Sequence, residues 1–139
     1  MVILMEKLKL KYISYTNALD RLEEAINIGK KDRNSILLDA TIQRFEFVIE
    51  LAWKMMKEYL EYQNMVGFNT PRMVVKEIYK LEIIQNGEIW LDMLNDRNLT
   101  SHTYDEETAQ NIYLNIVQKY MPELKELKYN IEERIKNEE

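Results

Sequence analysis

This chain of 139 residues has no cysteine, one histidine, two prolines and three glycines. Each shortage excludes something. Without cysteine there is no disulfide and no thiolate metal site. With only one histidine as well, a transition-metal centre within one chain is not expected, and we assign neither metal nor cofactor. The lack of disulfides fits a cytoplasmic protein. So little glycine and proline argues against a sheet protein with many turns. The abundance of Leu, Ile, Glu, Lys, Met and Asn instead suits long helices with short connections. No stretch approaches the roughly 18 apolar residues of a membrane span. The apolar start Met1-Val2-Ile3-Leu4-Met5 is too short for a signal-peptide core and follows no basic segment, so no membrane association is expected. Net charge is −5, against a general nucleic-acid coat protein, which carries a basic face. That leaves room for a small site acting on one phosphate. The length suits a single domain over residues 1–139, with a real core.

Periodicity places the helices. Leu8, Tyr12, Tyr15, Leu19, Leu22 and Ile26 alternate steps of four and three, which predicts a first helix from about Glu6 to Asn27 with one apolar stripe. Gly29 reads as its stop, with Lys30 and Lys31 at the negative end of the dipole. Asn34 or Ser35 caps a second helix, about Ile36 to Asn64. Its polar residues form one stripe, Asp39, Gln43, Glu46, Glu50, Lys54, Lys57 and Glu61, in which Glu50 and Lys54 have the favourable acid-then-base spacing. The rest of its circumference is largely apolar. Either it is central in a bundle, or part of it faces another copy of the protein.

Val66 to Thr70 is a loop, and Thr70-Pro71 starts a third helix, with Val74, Ile78 and Leu81 inward. Asn86-Gly87 breaks the pattern, and a short fourth helix begins at Glu88. A last helix carries apolar residues from Ala109 to Ile135, with Pro122 expected to kink or break it near Lys119. The expected fold is all-α, an antiparallel up-and-down four-helix bundle with an additional short helix.

The chemistry-bearing stretch is Asp96 to Tyr104. It holds His102, with Arg97 five positions before it and Tyr104 two after. Histidine exchanges a proton near neutral pH, and arginine offers a permanent charge and a fork of donors that matches a phosphate. On a continuous helix Arg97 and His102 would lie about 140° apart. A helix end near Asn98 to Ser101 is therefore expected, with Thr103-Tyr104-Asp105-Glu106 as the capping box of the next helix.

Arg97-Asn98-Leu99-Thr100-Ser101-His102-Thr103-Tyr104 resembles the Arg-x4-His-x-Tyr motif of HEPN domains. The segment Asp39 to Phe47 with Glu50-Leu51-Ala52-Trp53-Lys54, and also Thr70-Pro71-Arg72 and Trp90, is similar to the branch called nucleotidyltransferase substrate-binding proteins. The resemblance covers nearly the whole chain. It implies a helical homodimer and a metal-independent endoribonuclease toxin whose partner and antitoxin is a minimal nucleotidyltransferase. On that basis Arg97 and His102 are catalytic, Asn98 matches the supporting polar residue that often follows the arginine, and Tyr104 is the position to which AMP is transferred.

Two other readings stay open. Between Pro71 and Tyr104 there are four Lys/Arg against five Asp/Glu, and no basic track with interleaved aromatics is evident. This suits a non-catalytic module of a nucleotidyltransferase complex, with Arg97 and His102 holding a nucleotide phosphate or the partner's substrate. A helical interaction protein without a ligand is the third reading. The chain is not itself expected to be a nucleotidyltransferase, lacking a Gly-Ser turn followed by paired aspartates on a strand.

Overall fold

The computed structural model describes residues 2–32, 34–102 and 105–138. They form α1 (Val2–Lys31), α2 (Ser35–Tyr62), α3 (Pro71–Lys80), α4 (Gly87–Leu99), a 3₁₀ turn (Thr100–His102), α5 (Glu106–Asn115), a π-helical turn (Ile116–Tyr120) and α6 (Met121–Glu138). The expected antiparallel helical bundle is what the chain forms. The fourth helix, expected to be the short one, has 13 residues, whereas α3 and α5 have 10 each.

α2 is the central helix, packed against α1, α3, α4 and α5. Phe45, Val48, Ile49, Ala52, Met55 and Met56 on it are wholly buried. Burying side chains of this size contributes about 1.5–3 kcal/mol each before the cost of ordering them, so α2 carries much of the core. Of the two placements left open by its pattern, the central one holds. Phe47 nevertheless stands 61% exposed.

The caps follow the sequence in two places. Asn34 Oδ1 accepts from the Leu37 N–H at 2.9 Å, and Thr70 Oγ1 accepts from the Met73 N–H at 3.2 Å with Pro71 opening α3. Elsewhere the structure corrects the expectation. α1 runs through Gly29, which is buried; a Cβ there would lie 3.4 Å from the Tyr113 hydroxyl. Close packing against α5 keeps that turn helical although glycine costs about 1 kcal/mol in a helix interior. The third helix stops at Lys80 because Glu82 turns left-handed (φ 61°) and Ile83 N–H reaches back to the Ile78 carbonyl at 3.2 Å. The N-cap of α5 is Asp105: its Oδ1 accepts from Glu107 N–H at 3.3 Å and its Oδ2 accepts from the Thr108 hydroxyl at 2.7 Å. Thr103 and Tyr104 lie outside the described residues.

Pro122 disturbs the last helix around Lys119, as its position predicts, without ending it. It offers no N–H, and its ring would strike the carbonyl four residues back. The chain widens to a π turn over Ile116–Tyr120 just before it, then resumes as α6.

Buried tyrosines tie α6 and α4 into the bundle. The Tyr15 hydroxyl donates to the Leu124 carbonyl at 2.7 Å, and Tyr120 stacks on Phe45 with centroids 5.5 Å apart. Burial raises the pKa of both hydroxyls, and at Tyr120 the neighbouring Asp96 carboxylate raises it further. The protonated forms are thus bound more tightly in the folded state. Their contribution is complete below the ordinary tyrosine value of 10.0 and is lost as pH rises through it toward the raised folded values. The urea midpoint should therefore fall steeply between pH 10 and 11, and Tyr15→Phe should shallow that fall; an unchanged slope in the variant would contradict the assignment.

Candidate functional site

Adjacent residues on a helix point about 100° apart, and the end of α4 uses this. Asp96 turns to the π-helical side: its Oδ2 accepts from the Tyr120 hydroxyl at 2.6 Å and from Asn115 Nδ2 at 3.0 Å. Arg97 turns to α2. Its Nε donates to Glu50 Oε1 at 3.0 Å, and its Nη2 lies 4.0 Å from Glu46 Oε1. Glu50 is held at its other end as well, since Oε2 accepts from Trp53 Nε1 at 3.3 Å.

α4 ends at Leu99 and passes into the tighter 3₁₀ turn, the helix end the spacing of Arg97 and His102 required. The Thr100 hydroxyl is 2.7 Å from Glu46 Oε2 and also 2.7 Å from the Arg97 carbonyl. His102 closes the turn and is exposed, as is Asn98. The Arg97–His102 segment is thus tied to α2 by two carboxylates one helical turn apart. Tyr104, the fourth residue singled out, lies outside the described residues.

Arg97 and Glu50 are about one-third exposed (32% and 33%), so their pair is partly screened and contributes no more than about 1 kcal/mol to stability. Its weight is geometric: a bond at Nε orients the planar fork. One guanidinium faces two carboxylates, so the cluster is net negative. Glu46 and Glu50 also line an open groove of about 580 Å³ between α1 and α2, with Arg21, Arg44 and the exposed Phe47. Arg44 is committed to α1, donating to the Arg21 carbonyl at 2.5 Å and to Glu24 at 3.0 Å. Among the described residues no group of three side chains is placed to hold a metal ion, and no helix is long and apolar enough to cross a membrane.

Sequence reasoning missed Glu46, Glu50, Trp53 and Thr100. Glu50 was assigned to Lys54 on the same helix, whereas its carboxylate bonds Arg97 and Trp53. The available signal was an acidic pair four residues apart on a helix whose other faces are apolar.

Residues 10–133 match the family model described as nucleotidyltransferase substrate binding protein like. The chain belongs to that family. A Haemophilus influenzae protein named probable ribonuclease HepT is 36% identical over 84 residues, 58% of each chain. The match thus spans little more than half of that relative's length. The structure of HI0074, also from Haemophilus influenzae, shows the fold of a substrate binding domain of a nucleotidyltransferase; it superposes with a TM-score of 0.65 at 26% identity, over 92% of this chain and 98% of that one. A tri-AMPylated Shewanella oneidensis HEPN toxin in complex with an MNT antitoxin has the same fold, with a TM-score of 0.73 over 90% of this chain and 96% of the toxin, at 16% identity. The helical bundle of this family member thus shares its fold with that toxin chain, and Arg97 to His102 lie within the residues that match the family model.

Proposed function

We propose that this family member is a metal-independent endoribonuclease, the toxin of a toxin–antitoxin pair whose antitoxin is a minimal nucleotidyltransferase, and that it works as a homodimer in the cytoplasm. The observation that carries the reading is the placement of Arg97 and His102 on one short segment at the end of α4, with His102 exposed. The relative named as a ribonuclease and the fold shared with a HEPN toxin support it.

In this reading the RNA's own 2′-hydroxyl attacks the adjacent phosphorus. One His102 removes the hydroxyl proton, the P–O5′ bond breaks, and a second His102 protonates the leaving 5′-oxygen. The products are a 2′,3′-cyclic phosphate and a free 5′-hydroxyl. Each proton transfer contributes on the order of 10²–10⁴ in rate. Because one chain has one histidine, a two-fold dimer supplies both rings, and the two Arg97 forks stabilise the charge building on the phosphoryl oxygens. Asn98 supports the arginine. Tyr104 is the acceptor of AMP from the nucleotidyltransferase, which adds bulk and negative charge beside the site and repels RNA.

The test is cleavage of an RNA oligonucleotide by the purified protein in excess EDTA, with native mass measured under the same conditions. Cleavage by a dimer yielding a cyclic phosphate end is expected. No cleavage by unmodified dimer would overturn the reading. In that event the fold shared with HI0074, a substrate binding domain of a nucleotidyltransferase, favours a second reading, a non-catalytic nucleotide- or substrate-binding subunit of a nucleotidyltransferase complex.

A further inference from the structure

The helix-two segment containing Glu46, Glu50 and Trp53 has no part in the proposed cleavage, yet its polar side chains converge on the segment that has. We infer that these two carboxylates divide two tasks at the phosphate site: Glu50 is the positioning residue for Arg97, and Glu46 is a gate that a substrate phosphodiester must displace. The inference rests on the ribonuclease reading of Arg97 and His102, and deepens it.

The geometry separates the two glutamates. Glu50 holds Arg97 by a hydrogen bond at Nε, 3.0 Å, and is itself pinned through its second oxygen by Trp53. An arginine bonded at Nε keeps its Nη edge for another acceptor, and a planar fork fixed at one nitrogen is fixed in direction. Trp53 and Glu50 therefore aim the fork before any substrate arrives, which is where a charge-stabilising group is most effective. Glu46 approaches the Nη2 edge at 4.0 Å, beyond hydrogen-bond reach, and places its other oxygen 2.7 Å from the Thr100 hydroxyl. It occupies the vicinity of the edge a phosphate would use without bonding it. Thr100 has an alternative acceptor in the Arg97 carbonyl, also at 2.7 Å, so its hydroxyl keeps a partner when Glu46 swings away. Both carboxylates flank Arg97 on its α2 side, and an anion arriving at the fork meets them. Two like charges a few ångströms from an incoming phosphate weaken its binding, and losing one strengthens it.

The experiment compares the parent with Glu46→Gln, Glu50→Gln, Glu50→Asp and Trp53→Phe, each confirmed folded by circular dichroism. Three quantities are read: affinity for an uncleavable all-deoxy oligonucleotide at low salt, kcat and KM on the matching RNA, and the Arg97 ¹⁵Nε–H resonance. Glu46→Gln should tighten oligonucleotide binding and lower KM about fivefold, with the gain shrinking at high salt. Glu50→Gln should lower kcat about 30-fold or more, with KM moving little, and should shift the Nε–H resonance towards that of a solvated arginine. Glu50→Asp should recover part of kcat, and Trp53→Phe should fall between parent and Glu50→Gln. A purely structural role would lower stability without this split. Weaker oligonucleotide binding by Glu46→Gln, or an unchanged Nε–H resonance in Glu50→Gln, overturns the inference. A parent that cleaves no RNA refutes the ribonuclease reading instead, and the binding and resonance arms then still decide the division of tasks.

Discussion

His102→Ala is expected to lower RNA cleavage in EDTA by about 10³-fold or more while leaving the protein folded, because in the proposed two-fold site one substitution removes both the base and the acid. The side chain is exposed on a three-residue turn and is not part of the core, so little stability is at stake. Arg97→Ala should cost about 10²-fold, by analogy with the loss of a single oxyanion donor. Arg97→Lys should recover only part of this, since an ammonium restores the charge but not a fork that can bond Glu50 at one edge and phosphate at the other. Dimers mixed from parent and His102→Ala chains sharpen the test. If each cut needs two rings, mixed dimers are as inactive as the doubly substituted ones. If mixed dimers keep half the parent rate, each chain works alone and the two-ring mechanism fails.

The largest loss of stability from a single polar change is expected at Asp96. Asp96→Ala removes the acceptor of the Tyr120 hydroxyl and of Asn115 Nδ2, at 2.6 and 3.0 Å. Hydrogen bonds to a charged group contribute about 1.5–3 kcal/mol each, and a buried hydroxyl left without a partner costs more than a bond simply missing. About 3 kcal/mol is expected in urea unfolding, or roughly 10 °C in Tm for a chain of this size. Asp96→Asn keeps an acceptor and loses the charge, and should cost about 1 kcal/mol. The check is a double-mutant cycle: Tyr120→Phe in the Asp96→Ala background should cost much less than in the parent, because the orphaned hydroxyl is then gone. Additive losses would show that the short contact is energetically idle. Asp96 also fixes the last turn of α4 against the π-helical side, so Asp96→Ala should reduce cleavage through Arg97 more than its fold loss explains.

Much of this was legible along the chain. The alternating steps from Leu8 to Ile26 identify an amphipathic helix because 3.6 residues per turn leave no other way to bury them on one side. Thr70-Pro71 announces a helix start through elementary chemistry, a hydroxyl for an orphan N–H and a ring whose φ already suits the first turn. Arg97 and His102 stand out by type and spacing, and the helix end between them follows from angular arithmetic alone.

Other features depend on groups distant in sequence. Gly29 reads as a stop until α5 is packed beside it. Pro122 announces a kink or break near Lys119 but not that it takes the form of a π turn. The reach of Glu50 to Arg97 spans 47 positions, and that of Glu46 to Thr100 spans 54. No local rule favours these partners over Lys54, one turn away. Local sequence determined which segments are helical, where most of them begin, and which residue types carry the chemistry, because those depend on backbone sterics and on periodic burial. Tertiary structure alone decided that the central helix lends its two carboxylates to the arginine, because an ion pair between distant segments exists only once the core has set α2 and α4 side by side.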